Sequence, residues 1–155
     1  MLTAVILAGE GDEERLARTL VSLIPAVLEG FLRDAAVVDG GGAAGLADVA
    51  DHAGCAFVPD LRTAAETARS DWLLILEAGA RLEEPWAGAV RDHIAGSRRP
   101  ARFRVGGGLL ARLLRRGAPF RRGLLVRREE ALVKGQAGLA RVRAARLGAR
   151  IEVRG

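Results

Sequence analysis

Acidic residues stand at the ends of four short apolar runs in this chain of 155 residues. Carboxylates of this kind can hold a divalent cation or another shared ligand when several of them share one site. If the apolar runs are strands of one parallel sheet, their carboxyl ends meet at one edge, where such folds bind ligands. The acids are Glu10, Asp39, Asp60 and Glu77, and the adjoining glycines are Gly9, Gly40 and Gly41.

The segments around these acids predict four strands that alternate with four helices over residues 1–96. The runs are apolar throughout, which is typical of strands buried on both faces of a parallel sheet. Leucines recur at helical spacing after the first run, where Asp12 is placed to cap the helix and Pro25 to end or kink it. We therefore expect an α/β fold whose mostly parallel sheet carries helices on both faces.

The second part of the chain differs from the first in charge and in regularity. Residues 1–95 contain 16 acidic and 7 basic residues, whereas residues 96–155 contain 3 acidic and 17 basic ones. A basic segment of this kind can face nucleic acid, anionic lipid, a diphosphate or the acidic part of its own fold. We expect an edge strand at 101–105, a basic amphipathic helix at 106–117, a strand leading into a turn at 123–132, a basic helix at 137–148 and a last strand at 149–153.

Length and composition favour one domain and exclude several classes of protein. A single cysteine, Cys55, excludes an intramolecular disulfide and a zinc site built from cysteines. No apolar run approaches the ~18 residues that a membrane span requires, and the N-terminus lacks the basic region of a signal peptide. Aromatic residues are not interleaved with the basic ones, so nucleic acid is a weak candidate partner. A cytoplasmic protein is the expectation.

The glycines after the second apolar run leave a dinucleotide site open as an alternative. Gly40, Gly42 and Gly45 fit the pattern G-x-G-x-x-G, and Asp60 ends the next run at the spacing of a ribose-binding acid. Glycines there would let a diphosphate approach a helix N-terminus. Asp39, however, lies next to the place of the phosphates. In a chain with 20 glycines the match is not specific.

The order of motifs resembles the family 2 glycosyltransferases of the GT-A fold. The likeness covers residues 3–95 and lies in "TAVILAGEGDEERLARTLVSL", "AAVVDGGG", "ADHAGCAFV" and "ARSDWLLILEAGARLEEPW". More loosely, "GLLVRREEAL" and "LARVRAARLGARI" resemble later segments of the family. The resemblance implies a nucleotide-binding half over residues 1–96 and a basic, acceptor-side half over 97–155, with a shortened C-terminal part.

The same resemblance implies a UDP- or GDP-linked sugar as donor and a role for several of the acids. Asp39 matches the acid that contacts the base or the ribose, and Glu10 lies beside the nucleotide pocket. Glu77 matches the first acid of the metal-binding D-x-D motif, which implies Mn²⁺ or Mg²⁺. Gly79 stands where the second acid belongs, and one carboxylate is a poor site for a cation that takes several oxygen ligands.

The residues expected to catalyse transfer also depart from the family pattern. The region of the catalytic base reads "KGQAGLA" and holds no carboxylate. Glu129 and Glu130 are the nearest acids in the chain, and a helix surface explains them equally well. Arg121, Arg122 or Lys134 could stabilise the leaving diphosphate directly, as cationic groups do in other active sites.

Two functions therefore remain open from the sequence. The first is a glycosyltransferase-like protein that binds a nucleotide-sugar and transfers the sugar to an acceptor. The second is a non-catalytic domain of the same fold, which uses its basic half on an anionic partner. The stretch Leu109–Leu125, which alternates leucine and arginine pairs, could lie on an anionic membrane, at the inner face, and meet a lipid-linked acceptor. A helix packed by its leucines, with arginines in solvent, is the favoured interpretation of the stretch.

Overall fold

The computed structural model describes residues 1–42, 44–105 and 119–153 of the chain. The strands in this part of the chain are β1 (Leu2–Ala8), β2 (Leu32–Asp39), β3 (Ala56–Val58), β4 (Trp72–Glu77), β5 (Ala80–Leu82), β6 (Ala101–Val105), β7 (Leu124–Arg127) and β8 (Ala145–Val153). They form one sheet in the order β3-β2-β1-β4-β7-β6-β8-β5. Pairing is parallel from β3 to β4 and mixed beyond it.

Helices cover both faces of this sheet and enclose two apolar cores. The helices of the described chain are α1 (Glu13–Leu28), α2 (Ala44–His52), α3 (Leu61–Thr67), α4 (Trp86–Gly96) and α5 (Arg128–Ala140). Side chains of β4 alternate between the cores: Leu74 and Leu76 pack with α1, α2 and α4, whereas Leu73 and Ile75 pack with α3 and α5. The predicted α/β fold with helices on both faces is confirmed.

The first 96 residues follow the predicted alternation of strands and helices, with three differences. The strand β5 has only three residues and was not predicted. Helix α1 continues through Pro25 to Leu28. The burial of Leu23 and Ala26, on either side of the proline, offsets the one backbone hydrogen bond that proline cannot donate. Asp12 precedes the helix but makes no side-chain capping bond to it, because its carboxylate accepts a hydrogen bond from the Gly9 N–H instead.

The second part of the chain departs further from the predictions. The segment 101–105 is a strand, as expected, but it lies inside the sheet between β7 and β8 and not at an edge. The helix predicted over 137–148 is wrong, since α5 ends at Ala140 and β8 begins at Ala145. The physical reason is the alternation of buried and exposed residues along β8, which pairs with β6 and β5. Leu147, Ala149 and Ile151 are buried, whereas Gly148 and Arg150 between them are exposed.

The predicted amphipathic helix over 106–117 lies outside the described residues, as does most of the leucine- and arginine-rich stretch that was expected to meet a membrane. Its last residues, Leu124 and Leu125, are fully buried in β7. Among the helices that the structure describes, none has the length and apolar character needed to cross a bilayer.

A first prediction concerns Asp60, whose side chain caps α3 by accepting a hydrogen bond of 2.7 Å from the Thr63 N–H. We expect Asp60→Ala to lower the melting temperature at neutral pH, because it leaves that N–H without its acceptor. Hydrogen bonds from Thr63 lower the pKa of Asp60 in the folded protein. Its contribution is therefore complete above the unfolded pKa of about 3.9 and is lost as the pH falls through the folded value.

Thermal unfolding followed by circular dichroism over a pH series measures this effect. The difference between the native chain and Asp60→Ala should shrink below about pH 4. Asp92→Ala, at an exposed position on α4, is the matched control and should show no such dependence. A difference for Asp60→Ala that stays constant through this range would contradict the capping role.

Candidate functional site

The register of the parallel strands brings all four predicted acids to one edge of the sheet, with Asp60 at its outer end. Leu7 of β1 pairs with Glu77 of β4, and Ala8 pairs with Asp39 of β2. Gly9 and Glu10 directly follow β1 and so lie at this edge as well. We call it the strand-end edge. It is the place where the sequence located the nucleotide-sugar site.

The loops that follow β1 and β2 touch each other at Gly40. The Gly40 N–H donates a hydrogen bond of 2.7 Å to the Ala8 carbonyl. A Cβ atom on Gly40 would stand 2.8 Å from the same oxygen, a distance that real Cβ atoms do not show. Gly41 lies against Glu10, whose side chain is exposed. The glycines at this position therefore allow two backbones to meet at the strand-end edge.

The carboxylate of Asp39 is turned towards the glycine loop that follows it. Its Oδ1 accepts hydrogen bonds from the N–H groups of Gly41, at 3.0 Å, and Gly42, at 2.6 Å. These amides are the groups that a dinucleotide diphosphate would use at a glycine-rich turn. Their bonds to a carboxylate argue against the dinucleotide alternative, as does the use of Asp60 as the cap of α3. Asp60 follows β3, one strand further out than Asp39.

Glu77 ends β4 in a half-buried position between the two parts of the chain. Its Oε2 lies 3.8 Å from Nε of Arg121, and the Phe120 N–H contributes a hydrogen bond to the same carboxylate. Burial raises the pKa of Glu77 and the nearby Asp12 adds to the rise, whereas Phe120 and Arg121 oppose it. Residues from the second part of the chain thus contact Glu77, the acid that the sequence resemblance assigned to the donor site.

Asp12 is a member of this site that the sequence did not assign to it. Its Oδ2 accepts a hydrogen bond of 2.9 Å from the Gly9 N–H, and its Oδ1 lies 3.3 Å from Nη1 of Arg15. It is also close enough to Glu77 to affect the pKa of that carboxyl. The signal was the acidic turn after β1, which was interpreted only as a helix start. Two carboxylates therefore lie near each other, and each one faces an arginine.

Gly79, in the place of the second D-x-D acid, has a backbone conformation that suits glycine. Its φ is +96°, in the region that L side chains rarely adopt. Its N–H donates to the Arg15 carbonyl at 3.2 Å and to Oγ1 of the buried Thr19 at 3.0 Å. The turn between β4 and β5 is thereby fixed against α1. An acid at this position would need the turn to change, so its absence is built into the local structure.

These residues do not form a site that fits Mn²⁺ or Mg²⁺. Such cations take several oxygen ligands, whereas Glu77 is the one remaining acid of the motif and is paired with Arg121. The described residues contain no group of three or more His, Cys, Asp or Glu side chains that could hold a metal ion. The Asp12 carboxylate is engaged with Gly9 and Arg15.

The candidate catalytic residues of the back half lie in different places. Arg121 and Arg122 precede β7, whose first residue pairs with Ile75 near the end of β4, so they lie at the strand-end edge. Glu129 and Glu130 follow β7, which ends beside Trp72 at the opposite edge of the sheet. Lys134 lies on α5, with Nζ 3.7 Å from Oε1 of Glu130. The topology brings the arginine pair to the predicted site and places Glu129 and Glu130 away from it.

An apolar groove of about 680 Å³ lies elsewhere, between α1, α2 and the start of β2. It is at the opposite end of β2 from Asp39, and its lining offers mostly aliphatic side chains. A diphosphate needs cationic groups or amide donors, so the groove does not suit the predicted ligand. The lining includes Val21, Ile24, Val27, Leu32 and Val49.

No protein-family model matches this sequence, and no curated protein sequence does. Solved structures do match the fold. Mannosyl-3-phosphoglycerate synthase from Rubrobacter xylanophilus has a TM-score of 0.65 at 16% identity, over 100% of this chain and 67% of that one. Glucosyl-3-phosphoglycerate synthase from Mycobacterium tuberculosis, in complex with Mn²⁺, UDP and glucosyl-3-phosphoglycerate, has a TM-score of 0.60 at 16% identity, over 99% and 71%.

A second complex of the Mycobacterium tuberculosis enzyme contains Mn²⁺, UDP-glucose and phosphoglyceric acid, and it matches with a TM-score of 0.60 at 17% identity, over 99% and 72% of the two chains. At such identities the likeness shows the fold alone. The chain has the α/β fold of these GT-A glycosyltransferases, which confirms the fold that the motifs predicted.

The conformation of Gly79 leads to a prediction about stability. We expect Gly79→Ala to lower the free energy of unfolding by about 1–3 kcal/mol, because alanine is strained at a φ of +96°. Gly88 is the matched control: it lies inside α4, and a Cβ there would meet nothing within 4 Å. Gly88→Ala should raise the free energy of unfolding by about 0.5–1 kcal/mol.

Urea denaturation of the two variants and the native chain measures both changes. The same chemical substitution should thus have opposite signs at the two positions. A Gly79→Ala protein as stable as the native chain would show that the turn after β4 accepts a side chain, and with it an acid.

Proposed function

We propose that this chain is a glycosyltransferase-like protein, related to family 2, that binds a nucleotide-sugar at the strand-end edge. The observation that carries the proposal is the register of β1 with β2 and β4, which places Gly9, Glu10, Asp39 and Glu77 side by side. The resemblance of the sequence assigns the nucleotide pocket to these same residues. Structural neighbours of this fold are complexes with UDP and UDP-glucose.

Each residue of the edge has a role in this proposal. Asp39 contacts the base or the ribose, and its bonds to the glycine loop fix its orientation. Gly40 and Gly41 let the loop after β2 lie against the loop after β1, so that Asp39 and Glu10 border the same pocket. Glu10 lines the pocket from the loop after β1, and Glu77 lies near the diphosphate. Asp60 contributes the outer end of the pocket, beyond β3.

The donor in this proposal is a UDP- or GDP-linked sugar. The structural neighbours suggest which acceptors to test first. One of the glucosyl-3-phosphoglycerate synthase complexes contains phosphoglyceric acid together with UDP-glucose. A small phosphorylated acid is therefore the first acceptor to test. A lipid-linked acceptor at an anionic membrane surface is the second, and it depends on the stretch Leu109–Leu125, most of which lies outside the described residues.

The alternative function is a non-catalytic domain of the same fold, which binds but does not transfer a sugar. The positions of Glu129 and Glu130 favour this alternative. A transfer with inversion needs a base beside the acceptor hydroxyl. Glu129 and Glu130, the acids of the back half nearest to the family's base segment, lie at the opposite edge of the sheet. A coupled assay for UDP release separates the two functions, because transfer requires release that depends on the acceptor.

Asp39 provides the test of nucleotide binding. We expect UDP or GDP, or one of their sugars, to raise the melting temperature of the native chain and Asp39→Ala to abolish the rise, because alanine removes the ribose contact and the loop acceptor together. Asp39→Asn keeps an oxygen for the glycine amides and should retain part of the shift. Differential scanning fluorimetry measures all three proteins.

Asp51→Ala, at the far exposed end of α2, is the control and should respond as the native chain does. If UDP, GDP, UDP-sugars and GDP-sugars all leave the melting temperature of the native chain unchanged, with or without Mn²⁺, the proposed function fails. A shift that Asp39→Ala leaves intact would move the nucleotide away from the strand-end edge.

A further inference from the structure

We propose that Arg121 takes the place of a divalent cation at the strand-end edge and binds the nucleotide diphosphate through its guanidinium group. The inference rests on the proposed function, because it concerns how the same ligand is held. It departs from those structural neighbours that are complexes with UDP and Mn²⁺ or Mg²⁺. It assigns to this chain a binding mode in which the diphosphate needs no metal.

The supply of oxygen ligands is the first observation. Of the two D-x-D positions, Glu77 keeps its acid and Gly79 has lost it. The N–H of Gly79 is tied to the Arg15 carbonyl and to Thr19, and its φ of +96° excludes an unstrained side chain. Asp12, the other carboxylate nearby, already accepts from the Gly9 N–H and faces Arg15. A cation at this place would find one acid with an arginine beside it.

The position of Arg121 is the second observation. It is the second residue of a turn closed by a hydrogen bond of 2.9 Å from the Gly123 N–H to the Phe120 carbonyl. Phe120 is buried beneath the turn, and a Cβ on Gly123 would stand 3.0 Å from the ring of Phe103 and 3.1 Å from Leu76. The backbone that carries Arg121 is therefore anchored in the core on both sides, next to the end of β4.

The contact of Arg121 with Glu77 leaves the guanidinium able to bind a further anion. The distance of 3.8 Å between Nε and Oε2 is longer than a hydrogen bond, and 39% of the arginine side chain is exposed. A guanidinium carries five N–H donors in a planar fork that matches phosphate oxygens. One carboxylate at this distance cannot satisfy all of them, so donors of this partly exposed group remain available for a second anion.

Neighbouring arginines add positive charge beside Arg121. Nη2 of Arg122 donates to the Phe103 carbonyl at 3.4 Å, and Nη1 and Nη2 of Arg102 donate to the carbonyls of Pro119 and Leu139. Burial lowers the pKa of Arg102, and the charge of Arg122 lowers it further, so the two groups are close. The carbonyl oxygens hold the guanidinium groups of Arg102 and Arg122 in position without neutralising their charges. The remaining positive charge favours the binding of an anion beside Arg121.

This arrangement gives Glu77 a role opposite to that of a metal ligand. In a metal site the carboxylate is needed for the cation, and removing its charge abolishes metal-dependent binding. Here Glu77 positions Arg121, and its own charge repels the diphosphate. Glu77→Gln keeps an oxygen beside Arg121 and removes the charge that repels the diphosphate, so it should lower the Kd for UDP, whereas Arg121→Ala should raise it. The two substitutions thus distinguish the binding modes by opposite patterns.

Isothermal titration calorimetry with UDP and with GDP, in EDTA and in Mn²⁺, tests the proposal on the full chain. We expect the Kd of the nucleotide that binds to differ by less than about threefold between the two buffers. Arg121→Ala should raise that Kd by about ten- to a hundredfold, the loss of a charge-assisted contact. Binding of the matching nucleoside, which has no phosphate, should not change. Arg62→Ala, in an exposed pair with Glu66 on α3, is the matched control and should bind as the native chain does.

The possible results separate the two proposals. Binding that requires Mn²⁺, is lost in Glu77→Gln and is indifferent to Arg121→Ala overturns the role of Arg121 and leaves the proposed function standing. If neither UDP nor GDP binds in either buffer, the proposed function itself fails. Arg121→Lys guards against a folding artefact, since it keeps the charge without the fork and should bind between the native chain and Arg121→Ala. The melting temperatures of the free variants show whether each one is folded.

Discussion

The parallel pairing of β1 with both β2 and β4 is the constraint on which the candidate site depends. Apolar residues fix that register, because a shift by one position would move each buried side chain of β4 to the other face of the sheet. Gly40 then lets the loops after β1 and β2 meet at the Ala8 carbonyl. The carboxylates at the strand-end edge are thus placed by the packing of groups that have no chemistry of their own. A ligand site at this edge follows from the core, as in other open α/β sheets.

The acidic and basic residues are separated along the sequence but come into contact in the fold. The acidic first part and the basic second part meet at Glu77 and Arg121, where one residue from each forms an ion pair. The contact is long and partly exposed, so it contributes little to stability. Its consequence is local: a carboxylate that would suit a cation is turned into the partner of a cationic side chain. The positive charge of Arg102 and Arg122 persists beside it, since carbonyl oxygens orient these groups without cancelling their charge.

The parts of the fold that could be predicted from the sequence are those whose pattern lies within a single segment of the chain. Strands β1 to β4 are apolar on both faces and separated by helices, so their type and the position of Glu77 could be read from the sequence. The strand β8 could not, because alanine and arginine favour a helix and only pairing with β6 and β5 selects the extended form. Asp12 was taken for a helix cap because spacing does not show which way a side chain turns. The approach of Arg121 to Glu77 joins distant segments through a buried turn, and no periodicity reports it.

The position of β8 in the sheet determines which strands remain unpaired while the chain is being synthesised. β5 has three residues and pairs with β8, which follows it by more than sixty positions, and β8 also pairs with β6. While the ribosome is still making the second part of the chain, β5 has no strand beside it and β6 has one free side. Such open strand borders favour association with other unfinished chains. β8 therefore closes both open borders at once, and the aggregation of this protein during synthesis depends on when β8 becomes available for pairing.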